Sequence, residues 1–255
     1  MKKFKFKKLH FKLPRFHFGV IVFRKHIVNL CVAAMFMVLT IAAVVGSSLG
    51  VPTTAVSGVY YNGDTSSNYV TLMINVYWGT EYLDDMLNTL KEKNVKTTFF
   101  IGGTWAVMEE GMLKRIKEEG HELANHGYYH KDHDKLSEED NYNEIATTHK
   151  LVKGLTGDEM TLFAPPSGAY NKVTVSVASS LGYKTIMWTR DTIDWRDKDT
   201  DLIYKRAIKN AKGGDLILMH PTKNTAEALP KIIDYYQSNG FELVPVSTNI
   251  GQVTA

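Results

Sequence analysis

The stretch YVTLMINVYWGTEYLDDMLNTLKEKNVKTTFFI, residues 69–101, decides the fold. It begins with an apolar run at 69–74, continues through an amphipathic segment at 81–93, and ends with a second apolar run, rich in β-formers, at 95–101. A strand, a helix and a strand in this order predict a parallel β-α-β unit.

The same alternation continues along the rest of the chain. Further apolar runs stand at 121–124, 161–163, 183–188, 216–219 and 241–246. Helices are predicted near 105–119, after the capping pattern at 137–140, from about Lys172, and near 200–211. About 190 residues suffice for one domain, so we expect a single α/β domain over 69–247 and a tail at 248–255.

The N-terminal part of the chain has a different composition. Its first 25 residues carry nine Lys or Arg and no acid, and the first carboxylate is Asp64. Residues 27–46 contain no charge, and 20 residues at 1.5 Å each span a hydrocarbon core of about 30 Å. We therefore expect a basic cytoplasmic arm at 1–26, a transmembrane anchor at 27–49 and an extracellular remainder.

A cleaved signal peptide is the alternative to the anchor. Thr53 and Ala55 fit the −3 and −1 positions of a signal peptidase site, and cleavage there would make the domain secreted. The anchor is preferred because the apolar part of a signal peptide is usually shorter, about 7–15 residues. Residues 50–68, rich in Ser, Thr, Gly and Asn, are predicted to form a flexible tether.

The charge distribution argues against nucleic acid as a partner. The formal net charge of +3 becomes −6 once the nine positive charges of the arm are removed. Anionic membrane lipid is the expected partner of the arm. The single cysteine, Cys31, lies in the predicted span, so the exported domain folds without a disulfide.

Unusual polar and turn residues follow five of the predicted strands. They are Asn75, His126, Pro165, Asp191 and His220. The carboxyl ends of strands in a closed or nearly closed parallel sheet meet at one end, where the connecting loops build active sites. We therefore expect these five residues to lie around one site.

Three groups of side chains have chemistry suited to such a site. His126 and His130, spaced i, i+4, could present neutral imidazoles to a divalent metal, although a polar surface loop has the same composition. His220 could transfer a proton near neutral pH, or be a core histidine bonded to a carbonyl. Asp191 and Asp194, followed by Trp195, could form a loop that caps the next helix or, equally, the wall of a pocket.

Together these residues resemble the metal-dependent polysaccharide deacetylases with a NodB homology domain, over residues 69–247. The resemblance implies a distorted, partly open (β/α) barrel of about seven parallel strands. It also implies a hydrolase acting on C–N bonds other than peptide bonds, which removes acetyl groups from chitin-like or peptidoglycan chains. One divalent metal, expected to be zinc, cobalt or manganese, would be the cofactor.

Three motifs of that family are intact. The His-x-x-x-His motif assigns His126 and His130 as metal ligands, and Asn125 fits the preceding position. The Asp-x-x-Asp-Trp motif is present as Asp191, Asp194 and Trp195, and the Leu-x-His motif as Leu218 and His220. The resemblance implies that His220 protonates the departing amine. Substrate contacts are expected from Trp78, Pro165, Pro166, Asp194, Trp195 and Leu218.

Two motifs depart from the family pattern. Asn75 and Val76 stand where the family has a catalytic base and an acidic metal ligand, in a longer form ending Trp-Gly that resembles sporulation-associated members. Ala164 replaces the arginine that orients the base. Asp191 is predicted to serve as a replacement base or third ligand. Weaker candidates are Asp132, Asp134 and Glu81.

The expected function is that of a membrane-anchored extracellular hydrolase acting on an acetylated cell-wall glycan, with peptidoglycan as the expected substrate. Its catalysis should be weakened or altered, because an amide cannot accept a proton and valine cannot bind a metal. The alternative is a catalytically inactive glycan-binding or scaffolding protein of the cell envelope. A third interpretation is an enzyme of another reaction class that reuses the histidine pair.

Overall fold

The computed structural model describes residues 58–251. The predicted arm at 1–26 and anchor at 27–49 lie outside these residues. Of the helices between residues 58 and 251, none is both long enough and apolar enough to cross a membrane.

Strands and helices alternate along the described chain. The strands are β1 (Val59–Tyr60), β2 (Tyr69–Val76), β3 (Thr98–Ile101), β4 (Glu122–Asn125), β5 (Leu162–Phe163), β6 (Lys184–Ile186), β7 (Arg190–Asp191), β8 (Leu216–Met219) and β9 (Glu242–Leu243). The helices are α1 (Leu83–Glu92), α2 (Gly103–Met108), α3 (Glu110–Glu118), α4 (Glu138–Thr156), α5 (Lys172–Ser180), α6 (Thr200–Ile208), α7 (Lys223–Ser238) and α8 (Val246–Ile250). Short 3₁₀ turns occupy Thr80–Tyr82, His133–Lys135 and Pro166–Gly168.

The strands form one curled parallel sheet in the order β1-β6-β5-β4-β3-β2-β8-β7, and β9 pairs with the start of β2. Every pairing is parallel. Within residues 58–251, no pairing joins β7 to β1, so the sheet is an open half-barrel. The predicted α/β fold of parallel strands is confirmed, and the structure adds β1 and β7 to the seven predicted strands.

Alternation along the strands divides the core into two parts. On β2, the even-numbered residues from Val70 to Val76 belong to a large cluster that the strands share with the helices. Met73, on the opposite face, joins a smaller cluster inside the curl with Phe100 and Ala164. Side chains on a strand alternate between its two faces. A residue two positions after an inward-facing residue therefore also points inside the curled sheet, nearer the carboxyl end of the strand.

The predicted tether at 50–68 is wrong for its described part. Val59 and Tyr60 pair with Thr185 and Ile186 on β6. The Gly63 N–H then donates to the Gly214 carbonyl at 2.7 Å. A segment rich in Ser and Gly cannot form a hydrophobic core by itself. Here, however, its backbone N–H and C=O groups form hydrogen bonds with the edge of the sheet.

The predicted tail at 248–255 also begins too early. Helix α8 contains buried Val246 and Ile250, and the Val246 N–H donates to Thr98 Oγ1 at 2.8 Å. Since Thr98 is the first residue of β3, α8 covers the amino end of the sheet. The domain therefore extends at least to residue 250.

One predicted helix is interrupted and one cap is confirmed. The helix expected over 105–119 is divided into α2 and α3 at Glu109, whose φ of −121° and ψ of 41° are not helical. Ser137 caps α4 as its sequence pattern predicts, because its hydroxyl accepts the Asp140 N–H at 3.0 Å.

Candidate functional site

A cavity of about 590 Å³ opens at the carboxyl ends of the strands. Its lining residues are Asn75, Tyr77, Trp78, His126, His130, Ser167, Trp188, Asp191, Trp195, Leu218 and His220. The structure thus brings together the predicted site residues, except Pro165, Pro166 and Asp194, which lie behind this lining.

Strand alternation explains which side chains reach the cavity. Met73 is inward-facing on β2, so Asn75 is too, and Ala124 on β4 sets the same orientation for His126. Leu216 on β8 places Leu218 and then His220 on this face. Asp191 on β7 pairs with Leu218 and lines the cavity beside it.

His126 is held in a single orientation. Its ring is buried, and Nδ1 lies 2.7 Å from the carbonyl oxygen of Ala164. Because a carbonyl only accepts, Nδ1 carries the proton and Nε2 keeps its lone pair. Burial lowers the pKa of His126 well below its usual value, and the neighbouring His130 lowers it further. His126 is therefore a neutral imidazole at physiological pH.

His130 lies across the edge of His126, with ring centroids 5.1 Å apart and an interplanar angle of 71°. Burial lowers its pKa as well. The loop between the two histidines is tied to α4, because Glu144 Oε2 accepts the backbone N–H groups of Tyr128 and Tyr129, both at 2.7 Å. Glu144 is itself buried, so it fixes the loop from beneath.

Asn75 occupies the position where a catalytic base is expected. Its side chain is only 3% exposed, and Oδ1 has no hydrogen-bond partner among the described residues. An amide oxygen does not take up a proton near neutral pH, so this side chain cannot act as a general base.

The assignment of Val76 as the replacement of an acidic metal ligand stays a prediction, because the structure shows only where the valine side chain lies. Val76 is fully buried in the large cluster shared with the helices, and it does not line the cavity. The residue that does is Tyr77, whose ring stacks on His130 at a centroid distance of 4.4 Å and an angle of 24°. Strand alternation, which puts residues 75 and 77 on the same face, explains the difference.

His220 is paired with Asp194, which lies behind the cavity wall. Asp194 Oδ1 lies 2.8 Å from His220 Nδ1, and Oδ2 accepts the hydroxyl of Thr225 at 2.6 Å. The indole of Trp78 lies nearly parallel to the His220 ring, with centroids 5.9 Å apart. The carboxylate fixes the imidazole so that Nε2 is the nitrogen left for proton transfer.

Asp191 and Ala164 show how the site manages without the family's arginine. Asp191 Oδ1 accepts the N–H of Ile193 at 2.7 Å, and within residues 58–251 no Lys or Arg forms an ion pair with it. The side chain of Ala164 packs in the inner apolar cluster. Its carbonyl, rather than its side chain, contributes to the site by holding His126.

Comparison with known proteins identifies the family. The model of the family described as "Polysaccharide deacetylase" matches residues 62–186. A peptidoglycan-N-acetylglucosamine deacetylase of Bacillus cereus is 31% identical over 172 residues, which cover 65% of this chain and 80% of that protein. The chain belongs to the polysaccharide deacetylase family.

Two other relatives are longer than this chain. An uncharacterized protein of Bacillus subtilis is 36% identical over 187 residues, covering 73% of this chain and 59% of that protein. A peptidoglycan-N-acetylglucosamine deacetylase of Listeria monocytogenes is 36% identical over 168 residues, covering 66% of this chain and 35% of that protein. The match therefore spans less than two thirds of each of these two relatives.

A solved structure of the same family is described as a pseudoenzyme. This CE4 family pseudoenzyme from Bacillus anthracis is 34% identical, with a TM-score of 0.74 over 75% of this chain and 68% of that one. A mutant described as having restored enzymatic activity matches at 32% identity and a TM-score of 0.74, over 75% of this chain and 71% of that one. In that relative, therefore, activity is absent from the natural chain and is restored by mutation.

The metal of the deacetylase family does not fit the residues of this site. Between residues 58 and 251, no group of three or more His, Cys, Asp or Glu side chains could hold an ion together. A catalytic zinc site usually has three protein ligands, and His126 and His130 supply two. That Asp191 serves as a third ligand, which would require the loops to shift, stays a prediction.

The weaker acidic candidates do not complete it either. Asp132 forms a salt bridge with Lys135 at 2.6 Å. Glu81 lies in a separate groove between α1 and α7, and the exposed Asp134 does not line the cavity.

Sequence reasoning missed three lining residues, which are Tyr77, Ser167 and Trp188. For Tyr77 the signal was available, since it stands two positions after Asn75 and directly follows β2. Trp188 follows β6 at the same end of the sheet. Ser167 belongs to the turn after Pro165 and Pro166, where it adopts a positive φ of 56°. The two prolines therefore shape a turn whose serine reaches the cavity.

Proposed function

We propose that this chain is a glycan-binding member of the deacetylase family that does not hydrolyse its ligand. It binds an acetylated cell-wall glycan in the cavity lined by Trp78 and Trp195, and peptidoglycan is the expected polymer. The names of the Bacillus cereus and Listeria monocytogenes relatives support this glycan class. The pseudoenzyme of Bacillus anthracis supports the lack of hydrolysis.

One observation carries the proposal, namely the buried amide of Asn75. Deacetylation requires a group that takes a proton from the attacking water, and losing a general base typically costs about 10² to 10⁴ in rate. The side chain of Asn75 cannot do this. Asn75 lines a cavity rich in aromatic rings, and its buried Oδ1 has no hydrogen-bond partner among the described residues. An amide oxygen is instead suited to accept a hydrogen bond from a sugar hydroxyl or N–H group.

The aromatic side chains supply the binding surface. Trp78 is 41% exposed and Trp195 is 57% exposed, although large apolar rings are usually buried. Indole rings at a wet cavity offer an apolar face on which sugar rings can stack. Polar groups of His220 and Asp191 lie in the same lining and can bond to hydroxyl groups.

Acetate release and glycan binding should be measured on the same full-length protein. With zinc, cobalt or manganese added, we expect no acetate from peptidoglycan or chitooligosaccharides, together with retention on insoluble peptidoglycan. Trp78→Ala and Trp195→Ala should each weaken binding by about tenfold, equivalent to roughly 1.4 kcal/mol. Tyr142→Ala, an exposed aromatic residue outside the cavity, is the matched control. Retention that is unaffected by both tryptophan variants would contradict the proposal.

A slow deacetylase is the second candidate, and one observation favours it. Asp194 and His220 keep the arrangement needed to protonate a departing amine, and the Asp191 carboxylate lines the same cavity. In this case Asp191 would accept the proton of the attacking water. Acetate release that is lost in Asp191→Asn but retained in Asn75→Ala would establish this candidate and overturn the first.

We also propose that the domain lies outside the cytoplasm, held by an anchor at residues 27–49. The basic segment at 1–26 and the uncharged run that follows it support this orientation, as does a cell-wall ligand. Protease added to intact cells should digest the domain but leave the N-terminal arm protected. N-terminal sequencing of the mature protein decides between the anchor and cleavage after Ala55, because only cleavage gives a chain beginning at Val56.

A further inference from the structure

A left-handed backbone recurs around the cavity. Between residues 58 and 251, residues other than glycine have a positive φ at five positions, which are Asn94, His130, Ser167, Ile193 and Asn210. Asn94 and Asn210 follow the ends of α1 and α6, where asparagine commonly takes this conformation. The other three belong to the cavity, since His130 and Ser167 line it and Ile193 lies between two lining residues. Strained backbone tends to cluster at functional sites.

Ile193 is the most unusual of these three residues. Its φ is 55°. Histidine is among the residues enriched in the left-handed region, whereas a β-branched side chain there is a genuine outlier, because its Cβ approaches the following carbonyl oxygen. Such a conformation persists only where neighbouring contacts hold it in place.

The peptide groups on both sides of Ile193 are held by hydrogen bonds. Asp191 Oδ1 accepts the Ile193 N–H at 2.7 Å, which is the side-chain bond of an Asx turn. The Ile193 carbonyl accepts the Asp197 N–H at 3.0 Å. One residue earlier, the Thr192 hydroxyl donates to the Leu218 carbonyl of β8 at 2.8 Å. Of the two bonds made by Ile193 itself, the one to Asp191 involves a side chain, so a substitution can remove it.

The turn at Ile193 separates two consecutive side chains that serve different parts of the site. Asp194 is 4% exposed, and its carboxylate holds the backbone N–H and the Nδ1 of His220. Trp195 is 57% exposed and lines the cavity. Because the φ of Ile193 sets the direction in which the chain continues, a change to a negative φ would redirect both side chains.

We propose that Asp191 acts as a positioning residue. By holding Ile193 in the left-handed conformation, its carboxylate places Asp194 against His220 and presents Trp195 at the cavity. The half of this inference that concerns Trp195 and its ligand rests on the proposed glycan-binding function. The half that concerns Asp194 and His220 does not.

Substitution of Asp191 tests the turn in the full-length protein without any ligand. Asp191→Ala removes the acceptor, and we expect the NMR signals of the His220 ring and the Trp195 indole N–H to shift. In Asp191→Asn an amide oxygen can still accept the Ile193 N–H, so the shifts should be clearly smaller. A change caused only by the lost charge would be equal in the two variants, and that result would overturn the inference.

A second substitution, at position 193, should restore the signals. In Asp191→Ala combined with Ile193→Gly, glycine adopts a positive φ without a Cβ clash, so both signals should return toward their natural positions. The matched control is Asp191→Ala combined with Ile193→Ala, which also shortens the side chain but keeps Cβ, and it should restore them much less. Equal restoration by glycine and alanine, or no restoration by glycine, would contradict the proposal.

A longer acid covers the case in which Asp191→Ala does not fold. Asp191→Glu keeps the charge but moves the carboxylate one methylene farther from the backbone, so it no longer suits the turn. If Asp191→Ala loses its cooperative melting transition, Asp191→Glu should shift the same signals, and Ile193→Gly should again restore them. Folded variants of either kind with natural His220 and Trp195 signals would overturn the inference.

Retention on insoluble peptidoglycan tests the half that concerns Trp195. Asp191→Ala should weaken binding by about tenfold, as expected for Trp195→Ala, and adding Ile193→Gly should restore it. A direct contact between Asp191 and a sugar predicts no restoration.

The inference and the proposed function fail separately. Unchanged retention in Asp191→Ala, with a clear loss in Trp195→Ala, would overturn the half that concerns Trp195 and leave the proposed function standing. If the natural chain itself is not retained on peptidoglycan, the proposed function fails, whereas the NMR signals still decide whether Asp191 positions Asp194 and His220.

Discussion

Asp194 holds His220 at two points. Its Oδ1 lies 2.8 Å from the imidazole Nδ1, and its Oδ2 accepts the backbone N–H of the same residue at 2.6 Å. Oδ2 also accepts the hydroxyl of Thr225. This buried carboxylate fixes both the position and the tautomer of the histidine, and it does so whether or not the chain hydrolyses a glycan.

The first prediction concerns the stability that this carboxylate supplies. In Asp194→Asn one oxygen becomes an N–H donor that faces other donors, so we expect a loss of about 1–3 kcal/mol in the free energy of unfolding. Urea titration measures it. The control is Asp197→Asn, which weakens ion pairs with Arg196 and Arg206 near the surface and should cost about 1 kcal/mol or less. Equal losses in the two variants would contradict the role assigned to Asp194.

The second prediction concerns Glu144, which holds the loop between His126 and His130. Glu144→Gln keeps the size but weakens two charge-assisted bonds to the N–H groups of Tyr128 and Tyr129. We expect a loss of about 1–3 kcal/mol, with changed NMR signals for the His126 and His130 rings. Glu118→Gln, at an exposed position of α3, makes the same chemical change and should leave both quantities almost unaltered.

A third prediction uses two glycines with opposite surroundings. Gly79 has a φ of +81°, and a Cβ there would lie 2.0 Å from the Pro221 carbonyl oxygen. Gly79→Ala should therefore cost about 3 kcal/mol or more. Gly154 lies within α4 with nothing near its Cβ direction, so Gly154→Ala should stabilise the protein by about 0.5–1 kcal/mol. Thermal melting of both variants tests these two expectations. Melting temperatures that shift in the same direction in both variants would refute them.

The fourth prediction is a loss of stability in mild acid. Burial lowers the pKa of His121 from 6.5 to about 4, with Lys96 nearby adding to the effect, and its Nδ1 accepts the Thr97 N–H at 3.3 Å. The unfolded chain then binds a proton that the folded chain does not. Stability should be constant above about pH 7.5 and fall toward pH 5, by about 2 kcal/mol from His121 alone.

Urea titrations at pH 7.5 and pH 5 test this dependence. The pKa values of His126, His130 and His133 are also lowered by burial, so they act in the same direction. His121→Asn keeps an acceptor for the Thr97 N–H but removes the titrating group, and it should reduce the difference between the two pH values. A difference as large as that of the natural chain would show that His121 does not contribute.

Much of the fold could be predicted because its strands carry a strong signal. The run at 69–74 is long, apolar and followed by a helical pattern, and it became the central strand β2. β1 was missed because Val59 and Tyr60 form only a two-residue strand within a polar segment, and what stabilises it is the edge of β6. Such a strand depends on a distant partner, which local composition does not reveal.

The site likewise has features that could be predicted from the sequence and features that could not. His126, Asp191 and His220 were placed together because each follows a strand, and the parallel sheet gathers strand ends. Motif order alone did not indicate that the Val76 side chain packs against the helices, which follows from the alternation of the strand. The bond from His126 to the Ala164 carbonyl could not be predicted, since any residue at position 164 presents a carbonyl.

Strand β1 also determines the direction in which the cavity is presented. It runs parallel to β6, and the carbonyl of Gly58 accepts the Thr185 N–H near the beginning of that strand. The polypeptide therefore enters the domain at the end of the sheet opposite to the cavity, the same end that α8 covers. The point at which the chain enters the domain and the mouth of the cavity therefore lie at opposite ends of the same sheet, so the entering strand does not occupy the mouth.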